Sequence, residues 1–134
     1  MYLLDTNILS ELVRKRPSPA LLDRLRAAPQ DRLHTSAVCV FELRYGAARR
    51  GDSSLWLRLS TELLGRFMVL PLGPPEAIRA GEVFADLEKR GESIGVEDVL
   101  IGATALVHNL AVVTANVRHL SRVSGLRVEN WLAQ

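Results

Sequence analysis

Four polar stretches of the sequence carry side chains that could do chemistry together. Asp5 directly follows the apolar run Tyr2–Leu4, Glu42 lies within a helical pattern, and Asp98 opens a strongly apolar segment. A Thr-Ala-Asn sequence at residues 114–116 follows a further apolar run. Carboxylate and amide oxygens are the ligands that hard divalent cations such as Mg²⁺ prefer, whereas three carboxylates without a cation would repel one another. If these residues converge, they predict a metal site.

The elements that must position these side chains alternate between strands and helices. Apolar runs predict strands at Tyr2–Leu4, Arg32–Thr35, Phe67–Leu70, Leu110–Thr114 and Leu126–Val128. Helical periodicity, capping residues and prolines predict helices over residues 8–16, 19–28, 36–50, 53–65, 74–91, 97–109 and 116–120. The alternation predicts an α/β fold, a three-layer sandwich with a short, mostly parallel sheet flanked by helices. We expect residues 1–134 to form this single domain.

The carboxyl ends of parallel strands lie at one edge of a sheet, and ligands bind there in open α/β folds. Asp5 and residues 114–116 each follow a strand, and Asp98 begins a helix. They can therefore share this edge although more than a hundred residues separate the first from the last. Glu42 joins them if its helix leans across the same edge.

Each acid also has a purely structural interpretation. Asp5 could cap the first helix, a role for which Thr6 and Asn7 are also suitable. Glu42 could be a solvated helix residue paired with a nearby arginine. Asp98 could simply stabilise the start of its helix through the helix dipole.

The composition limits the classes of protein that the chain can represent. The net charge is only +2, but fifteen arginines stand against two lysines. Arginine binds phosphate and stacks on bases, which permits a nucleic-acid partner, although the codon usage of a GC-rich genome would give the same bias. Cys39 is the only cysteine, so an internal disulfide and a thiolate metal cluster are excluded. No apolar run could span a bilayer and no signal peptide is recognisable, so we expect a cytoplasmic protein without a membrane partner.

Longer motifs surround the candidate residues. The segments LLDTN, SAVCVFELRYG, IGVEDVLIGATA and VVTANVRHLSRVSGLRVENW follow one another along nearly the whole chain. In this order and spacing they resemble a PIN-domain ribonuclease toxin of the VapC type, from a type II toxin–antitoxin system. The resemblance implies that Asp5, Glu42 and Asp98 bind Mg²⁺ or Mn²⁺ and catalyse hydrolysis of RNA phosphodiester bonds. It also implies a VapB-like antitoxin as partner, and a homodimer or a toxin–antitoxin hetero-oligomer.

One segment departs from the family pattern. Many PIN domains have a fourth acid after the last long strand, but this sequence has Asn116 and, at a nearby position that is often acidic, His119. We therefore expect one firmly held metal ion, with a second bound weakly or only with RNA. Glu97 is expected on the surface, with room for a role through a bridging water. Further expectations are hydrogen bonds to the carboxylates from Thr6, Asn7 and Thr114, weak metal ligation by Asn116, and RNA binding by Arg44 and Arg118.

Two other functions fit parts of the sequence. A toxin-like binding module with weak or no nuclease activity could act with its antitoxin on operator DNA. A phosphatase that uses Asp5 as nucleophile is disfavoured, because such enzymes usually carry a second Asp two residues later, where Asn7 stands. A set of apolar helix residues is expected to form a groove for an antitoxin helix: Leu9, Leu12, Val13, Leu57, Leu63 and Leu64. The alternative is that all of these residues belong to the core.

Overall fold

Residues 1–132, the part of the chain that the computed structural model describes, form a parallel sheet surrounded by helices. The predicted domain also includes Ala133 and Gln134, which lie outside the described residues. The strands are β1 (Tyr2–Leu4), β2 (Leu33–Ser36), β3 (Met68–Leu70), β4 (Ala111–Val113) and β5 (Val128–Glu129). The helices are α1 (Thr6–Leu12), α2 (Pro19–Ala27), α3 (Ala37–Arg49), α4 (Ser53–Arg58), α5 (Pro74–Lys89), α6 (Val96–Val107) and α7 (Val117–Leu120).

The strand order is β3-β2-β1-β4-β5, and each neighbouring pair is parallel. The sheet predicted as mostly parallel is thus wholly parallel within residues 1–132, and its strand bounds differ from the sequence predictions by at most two residues. The direction of winding reverses at β1, because β2 lies on one side of it and β4 on the other. Ligands bind at such a switch point, outside the carboxyl ends of the strands.

Helices cover both faces of this sheet. Leu3 and Leu4 are consecutive strand residues that point to opposite faces, yet both are fully buried. Val112 and Val113 in β4 are buried in the same way. The three-layer α/β sandwich is therefore confirmed.

None of the helices within residues 1–132 combines the length and the apolar character needed to span a bilayer.

The first helix begins and ends earlier than the predicted range 8–16. Its N-cap is Asp5, not Thr6 or Asn7: the Asp5 carboxylate accepts a hydrogen bond from the Thr6 backbone N–H at 2.7 Å. The helix ends at Leu12. The carboxylate of Glu11, in its last turn, accepts a hydrogen bond from the Ser18 backbone N–H at 3.0 Å. This hydrogen bond holds the connection between α1 and α2 in place. Asp5 thus starts α1 while its side chain remains at the end of β1.

The predicted helix over residues 53–65 is interrupted. It remains α-helical only to Arg58, and residues Leu59–Leu63 continue it as a π-helical turn. The Ser60 hydroxyl donates to the Trp56 carbonyl at 2.8 Å, and the Thr61 hydroxyl donates to the Leu57 carbonyl at 2.6 Å. Hydroxyls that bond to carbonyls of the preceding turn compete with the helical ladder, which accounts for the widened turn.

Candidate active site

Asp5 lies at the switch point of the sheet, between the ends of β1 and β4. Its backbone N–H donates to the Val113 carbonyl at 2.9 Å, and its side chain is only 3% exposed. The Thr114 hydroxyl donates to Oδ2 at 2.8 Å, and the Asn7 amide approaches the same oxygen at 3.4 Å. These hydrogen bonds fix the direction of the carboxylate, which otherwise would rotate freely about its Cβ.

Glu42 joins Asp5 through a shared neighbour. It lies on α3, and its Oε1 accepts a hydrogen bond from the Thr6 hydroxyl at 2.6 Å, while the Thr6 backbone N–H donates to Asp5 Oδ1. Thr6 therefore holds both carboxylates. The interpretation of Glu42 as a solvated residue paired with an arginine is wrong, because the side chain is partly buried and faces α1.

Asp98 completes the group of acids from the first turn of α6. Its Oδ2 accepts a hydrogen bond from the Asn116 side-chain amide at 3.0 Å, and His119 Nδ1 lies 3.7 Å from the same oxygen. Asn116 follows the end of β4, so this contact draws the start of α6 to the edge where Asp5 lies. The three acids predicted from separate parts of the sequence are thus neighbours.

The supporting residues form a continuous network below the acids. The Asn7 side-chain oxygen accepts from the Ala115 backbone N–H at 3.0 Å, and its amide nitrogen also lies 3.4 Å from the Thr114 hydroxyl. The Asn116 backbone N–H donates to that hydroxyl at 2.9 Å. The loop after β1 and the loop after β4 are therefore tied together. Thr6, Asn7 and Thr114 contact the acids through hydrogen bonds, as the sequence predicted. Asn116, for which weak metal ligation is predicted, contacts Asp98 through its amide nitrogen.

Burial raises the pKa of all three carboxyls, and repulsion from neighbouring acids raises the pKa of Glu42 and Asp98 further. For Asp5, desolvation raises the pKa, and hydrogen bonds from Thr114, Thr6 and Asn7 offset only part of this effect. For Glu42 and Asp98, desolvation is again the largest cause, and the negative charge of Asp5 raises the pKa of each further. The exposed Glu97 adds to both increases. A cation at this point would remove the repulsion that destabilises the ionised group.

The donor set decides which cation fits. Within residues 1–132, no group of three or more His, Cys, Asp and Glu side chains is arranged to hold a metal ion by itself. The acids therefore do not form a structural zinc site, which needs four protein ligands. Oε2 of Glu42, Oδ1 of Asp98 and the side-chain oxygen of Asn116 accept no hydrogen bond from the described residues. Mg²⁺ needs only one or two carboxylates and keeps several waters. The open, oxygen-only group therefore fits Mg²⁺ or Mn²⁺.

Arg44 and Arg118 are predicted to bind RNA, and the structure places them in different surroundings. The Arg44 guanidinium lies 5.0 Å from the centre of the Trp56 ring on α4. Arg44 is two residues after Glu42, so the two side chains point about 200° apart around α3. The structure does not bring Arg44 to the acids. Arg118 lies exposed on α7, two residues after Asn116, so its role in RNA binding stays a prediction.

Sequence reasoning missed one neighbour of the acids. Cys39 is buried, as expected, but its Sγ lies 4.0 Å from Asp5 Oδ1 and 3.8 Å from the Leu4 carbonyl oxygen. Burial and the charge of Asp5 raise the pKa of this thiol, so it packs against the carboxylate in its neutral form. The available signal was its spacing of three residues before Glu42, which puts both side chains on one face of α3.

Comparisons with known proteins agree with this geometry. A sequence model of the PIN domain matches residues 2–126. The chain is 34% identical to a Haemophilus influenzae protein named Ribonuclease VapC2 over 133 residues, 98% of each chain. It is 31% identical to a Shigella flexneri protein named tRNA(fMet)-specific endonuclease VapC, over 97% of each. The crystal structure of VapBC2 from Rickettsia felis, bound to a DNA fragment from its promoter, superposes with a TM-score of 0.88 at 27% identity, covering 97% of this chain and 98% of the other.

The family model and the relatives cover the segments that carry Asp5, Glu42, Asp98 and Asn116. The match extends over nearly the full length of the chain and of its relatives, so the likeness concerns the whole described fold and not a shared fragment. The chain therefore belongs to the PIN-domain family, and its relatives within that family are ribonucleases of the VapC type.

Proposed function

We propose that this protein is a metal-dependent endoribonuclease that acts in the cytoplasm as the toxin of a toxin–antitoxin pair. The observation that carries the proposal is the convergence of Asp5, Glu42 and Asp98 at the switch point of the sheet. Burial raises the pKa of all three carboxyls, and a bound cation would stabilise their ionised forms. Ribonuclease relatives that align along nearly the whole chain support the choice of RNA as substrate.

Each residue has a stated part in this mechanism. Asp5 and Asp98 would hold Mg²⁺ or Mn²⁺, and Glu42 would assist from α3. When bound there, the metal ion activates water and neutralises charge that develops during in-line displacement at phosphorus. Thr6, Asn7 and Thr114 keep the carboxylates in fixed directions by the hydrogen bonds described above. Arg118, exposed beside Asn116, attracts the RNA backbone.

The site also supports a second candidate function. Asn116 stands where many PIN domains have a fourth acid, and a relative with the same fold was crystallised with DNA from its promoter. A toxin-like binding module that acts mainly with its antitoxin on operator DNA would need neither metal nor RNA cleavage. Metal binding, considered in the Discussion, separates this candidate from the enzyme.

An open groove of about 790 Å³ supports an antitoxin partner. Leu12, Val13 and Leu63 line it, as predicted, but Leu9 is a core residue, Leu57 is exposed elsewhere, and Leu64 packs against the core. Helix α2 and its C-cap supply further apolar lining, which the sequence prediction did not include: Leu22, Leu25 and Ala28. We propose that an amphipathic helix of the antitoxin occupies this groove, because charged Arg26, Glu62 and Arg66 line it as well and suit a polar rim.

Substituting Leu25→Asp should weaken antitoxin binding by roughly tenfold or more, because it places a charge at an apolar contact of the groove. Calorimetric titration of the cognate antitoxin into the purified protein measures this effect. Leu57→Asp is the matched control, since Leu57 is an exposed leucine outside the groove. Equal affinity of the wild type and Leu25→Asp would contradict the assignment of the groove.

A separate apolar patch supports the homodimer. Phe41 and Tyr45 on α3 stack at 6.3 Å and are 61% and 56% exposed. Leu72 and Val96 border the same surface around a small pocket of about 250 Å³. Aromatic side chains are enriched at protein interfaces, and this patch lies apart from the groove assigned to the antitoxin. We propose that a second copy of the chain covers it.

The substitution Phe41→Glu should convert the homodimer to a monomer, because the two-fold contact would bury an unpaired charge. Light scattering after size-exclusion chromatography gives the mass directly. Ile78→Glu, at an exposed apolar position of α5, is the control that should stay dimeric. A wild-type protein that is monomeric, or a Phe41→Glu variant that is dimeric, would show that the patch serves another purpose.

The raised pKa values predict a stability that depends on both pH and metal. A carboxyl whose folded-state pKa is raised contributes stability below its unfolded value of about 4, and this stability is lost as pH rises through the folded-state pKa. Without metal, the wild type should therefore lose more thermal stability than Asp5→Asn as pH rises from about 4 to neutral. Added Mg²⁺ should raise the melting temperature of the wild type more at pH 7.5 than at pH 5. An equal rise at both values would contradict binding to the ionised acids.

A further inference from the structure

His119 stands on α7 beside the acids, where the resemblance leads one to expect a fourth acid. It is linked to Asp98 through one residue, Asn116. The Asn116 amide nitrogen lies 3.0 Å from Asp98 Oδ2 and 3.1 Å from His119 Nδ1. The contacts that join Asp98, Asn116 and His119 determine which nitrogen of the imidazole carries the proton.

The carboxylate of Asp98 fixes the orientation of the Asn116 amide. An ionised carboxylate can only accept hydrogen bonds, so the Asn116 atom that faces it must be the NH₂ group and not the carbonyl oxygen. That NH₂ group carries two hydrogens, one for Asp98 and one for His119. His119 Nδ1 must therefore accept a hydrogen bond, and the neutral imidazole carries its proton on Nε2.

A direct pair between His119 and Asp98 does not replace this arrangement. His119 Nδ1 lies 3.7 Å from Asp98 Oδ2, which is beyond hydrogen-bond distance. The ring is 44% exposed, and Nε2 makes no hydrogen bond with any of the described residues. His119 thus presents an oriented N–H donor, without a partner among residues 1–132, next to three carboxylates.

We propose that the Nε2–H group of His119 donates a hydrogen bond to a non-bridging phosphate oxygen of the bound RNA. This inference rests on the proposed function and deepens it. A phosphodiester that approaches three carboxylates meets repulsion, and a fourth acid at position 119 would add to it. A fixed N–H donor instead offers the phosphate a hydrogen bond at the same corner of the site. Asn116 is then a positioning residue, because its amide selects the tautomer that donates outward.

Two measurements test this inference. Nitrogen-15 NMR of the histidine rings, with His119 assigned from the spectrum of His119→Gln, should show a protonated Nε2 and a bare Nδ1. Fluorescence anisotropy with a 2′-O-methyl RNA oligomer, which has no free 2′-hydroxyl, should show binding about tenfold weaker for His119→Ala without added metal. His119→Gln should recover most of the affinity, because its amide NH₂ can reach the position of Nε2–H. His119→Asp should bind more weakly than His119→Ala.

The control is His108→Gln, because His108 contacts Glu76 at 2.9 Å on the α5–α6 side of the fold and should not affect RNA binding. A proton on Nδ1, or equal RNA affinity of the wild type and His119→Ala, would overturn the inference. If His119→Ala cleaves RNA with an unchanged KM, the inference is also overturned, but the proposed function is not. If the wild type neither binds nor cleaves RNA, both the proposed function and this inference fail.

Discussion

The variant Asp5→Asn should lose RNA cleavage by roughly a thousandfold or more. The substitution removes one negative charge from the proposed metal site, and metal-ion catalysis contributes several kcal/mol to such a reaction, each 1.36 kcal/mol being a factor of ten in rate. The fold should survive, because asparagine caps helices as well as aspartate does and can still accept the hydrogen bond from the Thr6 N–H. Incubation of RNA with the purified variant and Mg²⁺ measures the rate.

Two comparisons keep this prediction separate from a loss of structure. The melting temperature of Asp5→Asn should stay within a few degrees of the wild type, because the neutral amide also relieves the burial of a charge. Thr114→Val removes the hydroxyl that donates to Asp5 Oδ2 while keeping the charge, and it should slow cleavage only by about tenfold to a hundredfold. Loss of growth inhibition in cells should follow the same order.

The variant Asp98→Asn should bind Mn²⁺ on the order of a hundredfold more weakly than the wild type. Oδ1 of Asp98 accepts no hydrogen bond from residues 1–132, and a carboxylate is a much stronger ligand for a hard cation than an amide. Asparagine can still accept from the Asn116 amide, so the loop after β4 keeps its place. Isothermal calorimetry with MnCl₂ and antitoxin-free protein gives the affinity.

The matched control for Asp98→Asn is the adjacent acid. Glu97→Gln removes the same charge one residue away, but Glu97 is exposed and points about 100° from Asp98 around α6, so Mn²⁺ affinity should change by less than about fivefold. No binding of Mn²⁺ at millimolar concentration to the wild type would favour the binding module. An equal loss in both variants would show that general charge, and not ligation by Asp98, attracts the metal.

The positions of three site residues could be predicted from the sequence because they follow from the order of strands and helices. Strand ends and helix starts share one edge of a parallel sheet, so Asp5, Asp98 and Asn116 could be placed together without knowledge of tertiary contacts. Glu42 needed the tilt of α3, which no local pattern encodes, and its inclusion depended on the family resemblance. The hydroxyl of Thr6 that joins Glu42 to Asp5 becomes visible only in three dimensions.

The differences between prediction and structure have physical reasons of the same kind. The positive charge of Arg44 suggests RNA binding, but the direction of its side chain follows from the helical angle and from the Trp56 ring that attracts the guanidinium. The groove prediction used α1 and the segment after α4 and omitted Leu22 and Leu25, because the packing of α2 beside α1 is a tertiary contact. The early start of α1 followed from Asp5, whose two roles as cap and candidate ligand had been treated as alternatives.

The most direct test of the central claim is the chemistry of the RNA ends. Total RNA is incubated with purified wild type and Asp5→Asn, with and without Mg²⁺, and the new 5′ and 3′ ends are mapped by sequencing and by sensitivity to phosphatase. Because water is the proposed nucleophile, the wild type with Mg²⁺ should produce discrete new ends without a 2′,3′-cyclic phosphate, and Asp5→Asn should produce none of them. The same ends from both proteins, or cyclic phosphates from the wild type, would contradict hydrolysis at the acids around Asp5.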